Sequence, residues 1–319
     1  MENKPRLFGI PNRYLVLLLI VASVLIHYVW GVKALQPHVQ LPAEKLGGEN
    51  AFLTNTLVAT LIADVLLILM ALSVRRAVKS GSLIPQGFSG AVEALLEVLY
   101  NLTESTAGKW AKTIFPWFAT ITLLVLVVNW MELIPGVDSI GLFEPSHVKE
   151  FEELCTETRI GPFVSVGGDK ECVSALVPVV RVASTDLNFT VALAVVSVVM
   201  TQVIGVRALG ASYFSKFWYT KTLFTKPIFG VIDFAVGLLE IVAEIAKVLS
   251  FSFRLFGNIF AGSVLLFVIG SLVPVFAQTV FLMLEFFVGL IQAIVFGMLT
   301  MVFMSQATHS HHDEGEEHH

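Results

Sequence analysis

Charge is what this sequence has least of. Asp, Glu, Lys and Arg make up 14% of its 319 residues, where a soluble chain would carry about 25%. There is no basic arm, and the formal net charge of −5 offers nothing for nucleic acid to hold. No Gly-rich phosphate loop and no catalytic triad are present, so no catalytic site, cofactor site or nucleotide chemistry is expected of this chain itself. Tandem and inverted repeats are not visible, which counts against carriers built from paired repeats. Cysteine is limited to two residues. Hydrocarbon is what the chain does have: 55% hydrophobic residues and a mean hydropathy of +0.80. Several apolar runs reach about 20 residues, enough to cross a bilayer core as helices. The expectation is an all-α polytopic membrane protein.

Six spans are expected: Tyr14–Val32, Thr56–Val74, Ile114–Ile134, Phe189–Val206, and two longer ones near Ile228–Ile269 and Val275–Met304. With the amino terminus inside, cytoplasmic loops hold twelve of the twenty Lys and Arg and outer loops hold six, which leaves Lys247 and Arg254 within the membrane. That bias puts both termini on the cytoplasmic side. The first run has two readings, a retained helix or a signal peptide cleaved near Val32-Lys33-Ala34. Between spans two and three, Val92, Leu95, Leu96 and Leu99 recur at helical spacing with Glu93, Glu97 and Glu104 between them. That pattern describes an amphipathic helix on the cytoplasmic surface. The outer loop, residues 136–185, is acidic and carries Cys155 and Cys172; an oxidising outer side favours their pairing over two free thiols. Residues 309–319 form a His- and acid-rich cytoplasmic tail, read as a solvated end.

Ionisable groups at membrane depth are costly and therefore informative. The fifth span carries Glu240, Glu244, Lys247, Arg254 and Asn258. At about 100° per residue, all five fall within roughly an 80° arc, spread over about 27 Å of rise. Lys247 lies three residues from Glu244 and seven from Glu240, so this cluster can neutralise itself. Arg254 has no acid within one turn. The sixth span repeats the stripe with Gln278, Glu285 and Gln292; the third ends in Asn129 and Glu132; the fourth opens on Asp186, Asn188 and Thr190. Structural readings compete: Asp186 as a helix cap, Glu132 as an interfacial residue, Asn129, Asn188 and Gln278 as interhelical hydrogen-bond glue, and Glu240 with Lys247 as a structural pair. For Arg254 that reading is weak, because a cation near mid-helix with no acid on its own helix is rarely kept for packing.

"RLFGNIFAG" after "EIAKVLSFSF", followed from Gly289 by "GLIQAIVFGMLTMVFM" and preceded by "NWMELIP" and "STDLNFT", resembles subunit a of F-type ATP synthases over about residues 52–308. The resemblance implies a proton-translocating stator subunit with two half-channels, embedded in a bacterial plasma membrane. The partners it implies are the c-subunit ring, the b-subunit peripheral stalk and the remainder of the complex. Arg254 falls on the family's essential arginine and Gln292 on the glutamine facing it. Glu240, Lys247 and Ser250 match cytoplasmic-side polar positions. Asn258 matches the asparagine beyond the arginine, and Asn129, Glu132 and Asp186 match positions on the outer entry route. Nine residues after the arginine, where Glu or His is frequent in the family, this chain has Ser263, so the relay group shifts to Glu285. Residues 1–51 and the cysteine-bearing loop are extra to the family's usual five spans. The rival class is a stand-alone secondary proton or cation antiporter.

Overall fold

The structure is a computed structural model and describes residues 6–7, 10–11, 21, 43–46, 52–79, 87–134, 141–144, 156–160, 163–167, 175–216, 227–272 and 276–309. The first expected span apart from Val21, both cysteines and most of the His-rich tail lie outside these residues. Six helices carry the described fold: α1 (Asn55–Lys79), α2 (Phe88–Ala107), α3 (Ala111–Met131), α4 (Leu187–Leu209), α5 (Pro227–Leu272) and α6 (Phe276–Gln306). Among the described residues, four stretches are long and apolar enough to cross a membrane: α1, the continuous run through α2 and α3, α4, and α6. At 46 residues, α5 extends about 69 Å, more than twice a hydrocarbon core of about 30 Å.

Local chemistry sets the helix ends. Asp186 caps α4, its side chain accepting from the Asn188 N–H at 2.9 Å, and so satisfies a backbone donor that the first turn cannot. At the other end of α4, Gly210 turns the chain at φ 63 while its N–H returns to the Val206 carbonyl, a conformation that costs a residue with a Cβ. Arg76 and Lys79 close α1 where the helix dipole favours cations. Outside the helices lie short antiparallel ladders: β1 (Arg6–Leu7) with β2 (Ile10–Pro11), β3 (Gly141–Glu144) with β6 (Ala175–Pro178), and β4 (Thr156–Ile160) with β5 (Phe163–Gly167). The β4–β5 hairpin is thus nested within the β3–β6 pair, inside the loop that the positive-inside bias puts outside.

The bundle is organised around α3. Its Ile114, Phe118, Val125 and Val128 are fully buried, and its most extensive packing is against α6. Because lipid is as apolar as Leu, burial alone does not drive helices together in a membrane; close packing and interhelical hydrogen bonds do. Both are visible here. A Cβ added at Gly297 of α6 would collide with Thr122 of α3, so glycine is what lets these two helices approach. Ser197 of α4 and Thr300 of α6 share a 2.7 Å hydrogen bond in a fully buried position. One core cluster joins Ala59 and Ala63 of α1 to Val125, Ala194, Leu255, Ile259 and Phe296. A second joins Leu99 of α2 to Phe118, Ile204, Met301 and Met304. The amphipathic helix is therefore docked through Val92 and Leu99, while Leu95 stays exposed.

Candidate functional site

The polar residues of α3, α5 and α6 meet along the seam between the two long helices. At the end of α3, Asn129 is fixed from two sides: Ser184 donates to its Oδ1 at 2.7 Å, and its Nδ2 donates to the Gly289 carbonyl at 3.3 Å. Gly289 permits that approach, since an added Cβ would sit 3.2 Å from the Asn129 Cβ. Trp130 stacks on Phe286 at 4.8 Å and donates through Nε1 to the Phe286 carbonyl, which locks α3 to α6 beside Glu285. One turn on, Glu132 accepts a hydrogen bond from the Ser263 hydroxyl of α5. Glu132 and Glu285 are 8% and 5% exposed, so two carboxyl groups are held inside the bundle near one another's helices.

Glu285 rests against Gly262, where any Cβ would collide with its carboxylate. Its Oε1 is buried and has no hydrogen-bond partner among the described residues. Further along the seam, Asn258 donates to Gln292 Oε1 at 2.8 Å, while the buried Gln292 Nε2 has no partner among them. Arg254 lies one helical turn beyond Asn258. Gln292 bonds Asn258, one turn from Arg254 on the same α5 stripe.

Arg254 is exposed, and no acid among the described residues pairs with it. It shares an uncovered stripe with Ser250, Gly257, Asn258 and Ala261. Toward the start of α5, Lys247 pairs with Glu244 at 3.0 Å and lies 4.8 Å from the Phe303 ring centroid. The expected local neutralisation thus occurs, with Glu244 as the partner at i+3 spacing. Glu240 is half-buried on the same face.

Asp186 stands at the α1–α4 end of the cluster with both carboxylate oxygens engaged. One caps α4 and the other accepts from Thr56 Oγ1 of α1 at 3.1 Å. Sequence reasoning did not single out Ser184, Thr56, Gly262 or Gly289. Ser184 precedes the polar "TDLN" run, which was the signal available for it. The two glycines become legible only when the facing helix is in place.

A family model described as ATP synthase A chain matches residues 56–305. ATP synthase subunit a of Mycobacterium tuberculosis (strain CDC 1551 / Oshkosh) is 28% identical over 224 residues, 67% of this chain and 69% of that protein. The subunit a of Mycobacterium ulcerans (strain Agy99) is 27% identical over the same shares. That of Trichlorobacter lovleyi is 34% identical over 82 residues, 26% of this chain and 34% of that protein, so this match spans about a third of the relative's length.

Proposed function

The chain belongs to the ATP synthase A chain family, and on that premise we propose that it is the stator channel of a rotary ATP synthase, coupling proton flow to the turning of a ring of c subunits. The observation that carries this reading is Arg254, an exposed cation on α5 with no acid of the described chain beside it. Its counter-charge then comes from a carboxyl group on a passing ring subunit. Arginine suits the task because its guanidinium stays protonated even where water is scarce, whereas a buried lysine can lose its charge. A fixed positive charge holds the approaching carboxyl in its ionised form and repels a proton that would otherwise slip straight through. Gly257 and Ala261, exposed beside it, leave room for another helix to come close.

In this reading protons enter from outside past Asn129 and Glu132, pass Ser263 and Glu285, and reach the ring carboxyl near Gln292. Ser263 accompanies the relay by bonding Glu132, while Glu285 supplies a carboxylate oxygen that no group of the described chain occupies. After nearly a full turn the ring carboxyl meets Arg254 from the other side and releases its proton toward Ser250, Lys247 and Glu240, and so to the cytoplasm. Each proton falling through 100 mV delivers about 2.3 kcal/mol to rotation. The b-subunit stalk and the rest of the complex hold this chain still against the torque, in a bacterial plasma membrane with the carboxyl terminus inside.

The deciding experiment is Arg254→Ala in the assembled complex. ATP synthesis driven by an imposed proton gradient is expected to vanish while the complex remains intact. Synthesis at an undiminished rate would overturn the proposal, as would proton exchange catalysed by this chain alone in liposomes.

A further inference from the structure

Gln202 belongs to none of the clusters described above. It lies near the carboxyl end of α4, and one end of its amide is stranded. Its Oε1 accepts from the Tyr213 hydroxyl at 2.6 Å, while its Nε2 is buried with no hydrogen-bond partner among the described residues. Turning the amide over would strand the oxygen instead, so one polar end is left over in either orientation. The fold holds this amide in place. After Gly210 the chain turns back on α4 as a short 3-10 helix, Gly210–Lys216. Tyr213 within it is buried, and its ring lies over Gly205, where an added Cβ would collide with it. A glycine three residues from Gln202 therefore seats the ring whose hydroxyl fixes the amide. Burying an amide end without a partner is disfavoured, so the open end calls for a hydrogen-bonding ligand, and water is the one that fits a single amide end.

Depth connects this amide to the proposed proton route. α4 packs most extensively on α5, and the two helices run antiparallel. Ser252 of α5 donates to the Thr190 carbonyl of α4 at 3.4 Å. Farther along α5, Ser263 bonds Glu132 at the end of α3, where Ser184, just before α4, clamps Asn129. From the level of Thr190 and Ser252, Gln202 is twelve residues on in α4 and Glu240 is twelve residues back in α5. Each step covers about 18 Å, so Gln202 stands at about the depth of Glu240, the last group named on the exit route. Two other polar residues of this half of α4 are already engaged: Ser197 shares a hydrogen bond with Thr300, and the Thr201 hydroxyl donates to the Ser197 carbonyl. Of the three, Gln202 is the one with an unengaged end among the described residues.

We infer that Gln202 lines the cytoplasmic exit at the depth of Glu240, its amide held by Tyr213 and its open end binding water along which the released proton leaves. The inference rests on the channel reading above and adds a residue of α4 to a route otherwise built on α5. The test is thiol labelling of Gln202→Cys in the assembled complex, with a membrane-impermeant methanethiosulfonate applied to the cytoplasmic face of inverted vesicles. Mass spectrometry of the peptide carrying position 202 reads the labelling apart from Cys155 and Cys172. Modification is expected, with ATP-driven proton pumping lost and then restored by a reductant. Val203→Cys is expected to stay unmodified, since it lies about 100° round the helix, on the side of the exposed Val196 and Val199. No modification at position 202, equal modification at both positions, or modification without loss of pumping would overturn the inference. Should Gln202→Cys fail to assemble, Gln202→Leu and Gln202→Asn decide it: pumping is expected to fall about tenfold in the first and less in the second, which keeps an amide, and parent-like pumping in Gln202→Leu would overturn it. Arg254→Ala, assayed alongside, separates the two readings. If synthesis is lost there while position 202 stays unmodified, this inference alone falls; if synthesis survives there, the channel reading falls with it.

Discussion

Asn258 and Gln292 join α5 to α6 through a 2.8 Å hydrogen bond one turn from Arg254. The pairing holds a buried amide at the point where the proposed ring carboxyl changes protonation state. Asn258→Leu would leave Gln292 Oε1 buried without a donor, a cost of about 1–3 kcal/mol. ATP-driven proton pumping into inverted vesicles is expected to fall on the order of tenfold, the rate equivalent of about 1.4 kcal/mol. Asn258→Ser, which keeps a donor, is expected to fall less. Fluorescence quenching by a pH-sensitive dye reads both.

Gly262 is the residue that lets Glu285 lie against α5. Gly262→Ala introduces a methyl group where the carboxylate now sits, so the carboxylate must move. Proton flux is expected to drop while the amount of assembled complex changes little. The compensating change Glu285→Asp, shorter by one methylene, is expected to restore part of that flux in the Gly262→Ala background. A helix-propensity effect would instead favour alanine, since glycine costs about 1 kcal/mol in a helix interior. The same flux in Gly262→Ala as in the parent chain would show that the close approach has no functional weight.

Much of this architecture was readable from residue patterns. Apolar runs gave the positions of α1, α3, α4, α5 and α6 to within a few residues, because a membrane span must satisfy its backbone internally and has little freedom of length. The charged face of α5 followed from 3.6-residue periodicity. What periodicity within a single helix does not contain is the partner. The pairing of Asn258 with Gln292, the use of Gly262, Gly289 and Gly297 as points of close approach, and the clamp of Ser184 on Asn129 all depend on how two helices are set beside each other. The capping role of Asp186 was one of two readings, and the Thr56 contact that accompanies it comes from an element 130 residues away. The nested ladders of the outer loop were not foreseen either, since acidic residues and short apolar stretches there give no clean alternation.

A pairing of Cys155 with Cys172 is proposed on compartment and on the order of the chain. Cys155 immediately precedes β4, whose first residue, Thr156, is in register with Gly167 at the end of β5. A bridge to Cys172 would close a loop of this size around the hairpin mouth and stabilise the insertion by about 3 kcal/mol. Maleimide labelling of intact membranes is expected to modify neither cysteine until a reductant is added. Labelling without reductant would show free thiols.

Asp186 separates two roles that a carboxylate can play at the same place. Its oxygens cap α4 and accept from Thr56; neither bond needs a negative charge, since an asparagine oxygen can take the cap while its amide NH2 donates to the Thr56 hydroxyl, which then accepts. Asparagine caps a helix about as well as aspartate. Asp186→Asn is therefore expected to keep assembly and most proton flux. Asp186→Ala removes both acceptors and is expected to cost about 0.5–2 kcal/mol in stability, read as a lower yield of assembled complex. If the asparagine variant instead assembled fully and lost its flux, the charge at this position would belong to the proton route, and the outer entry would extend past Asn129 to the end of α1.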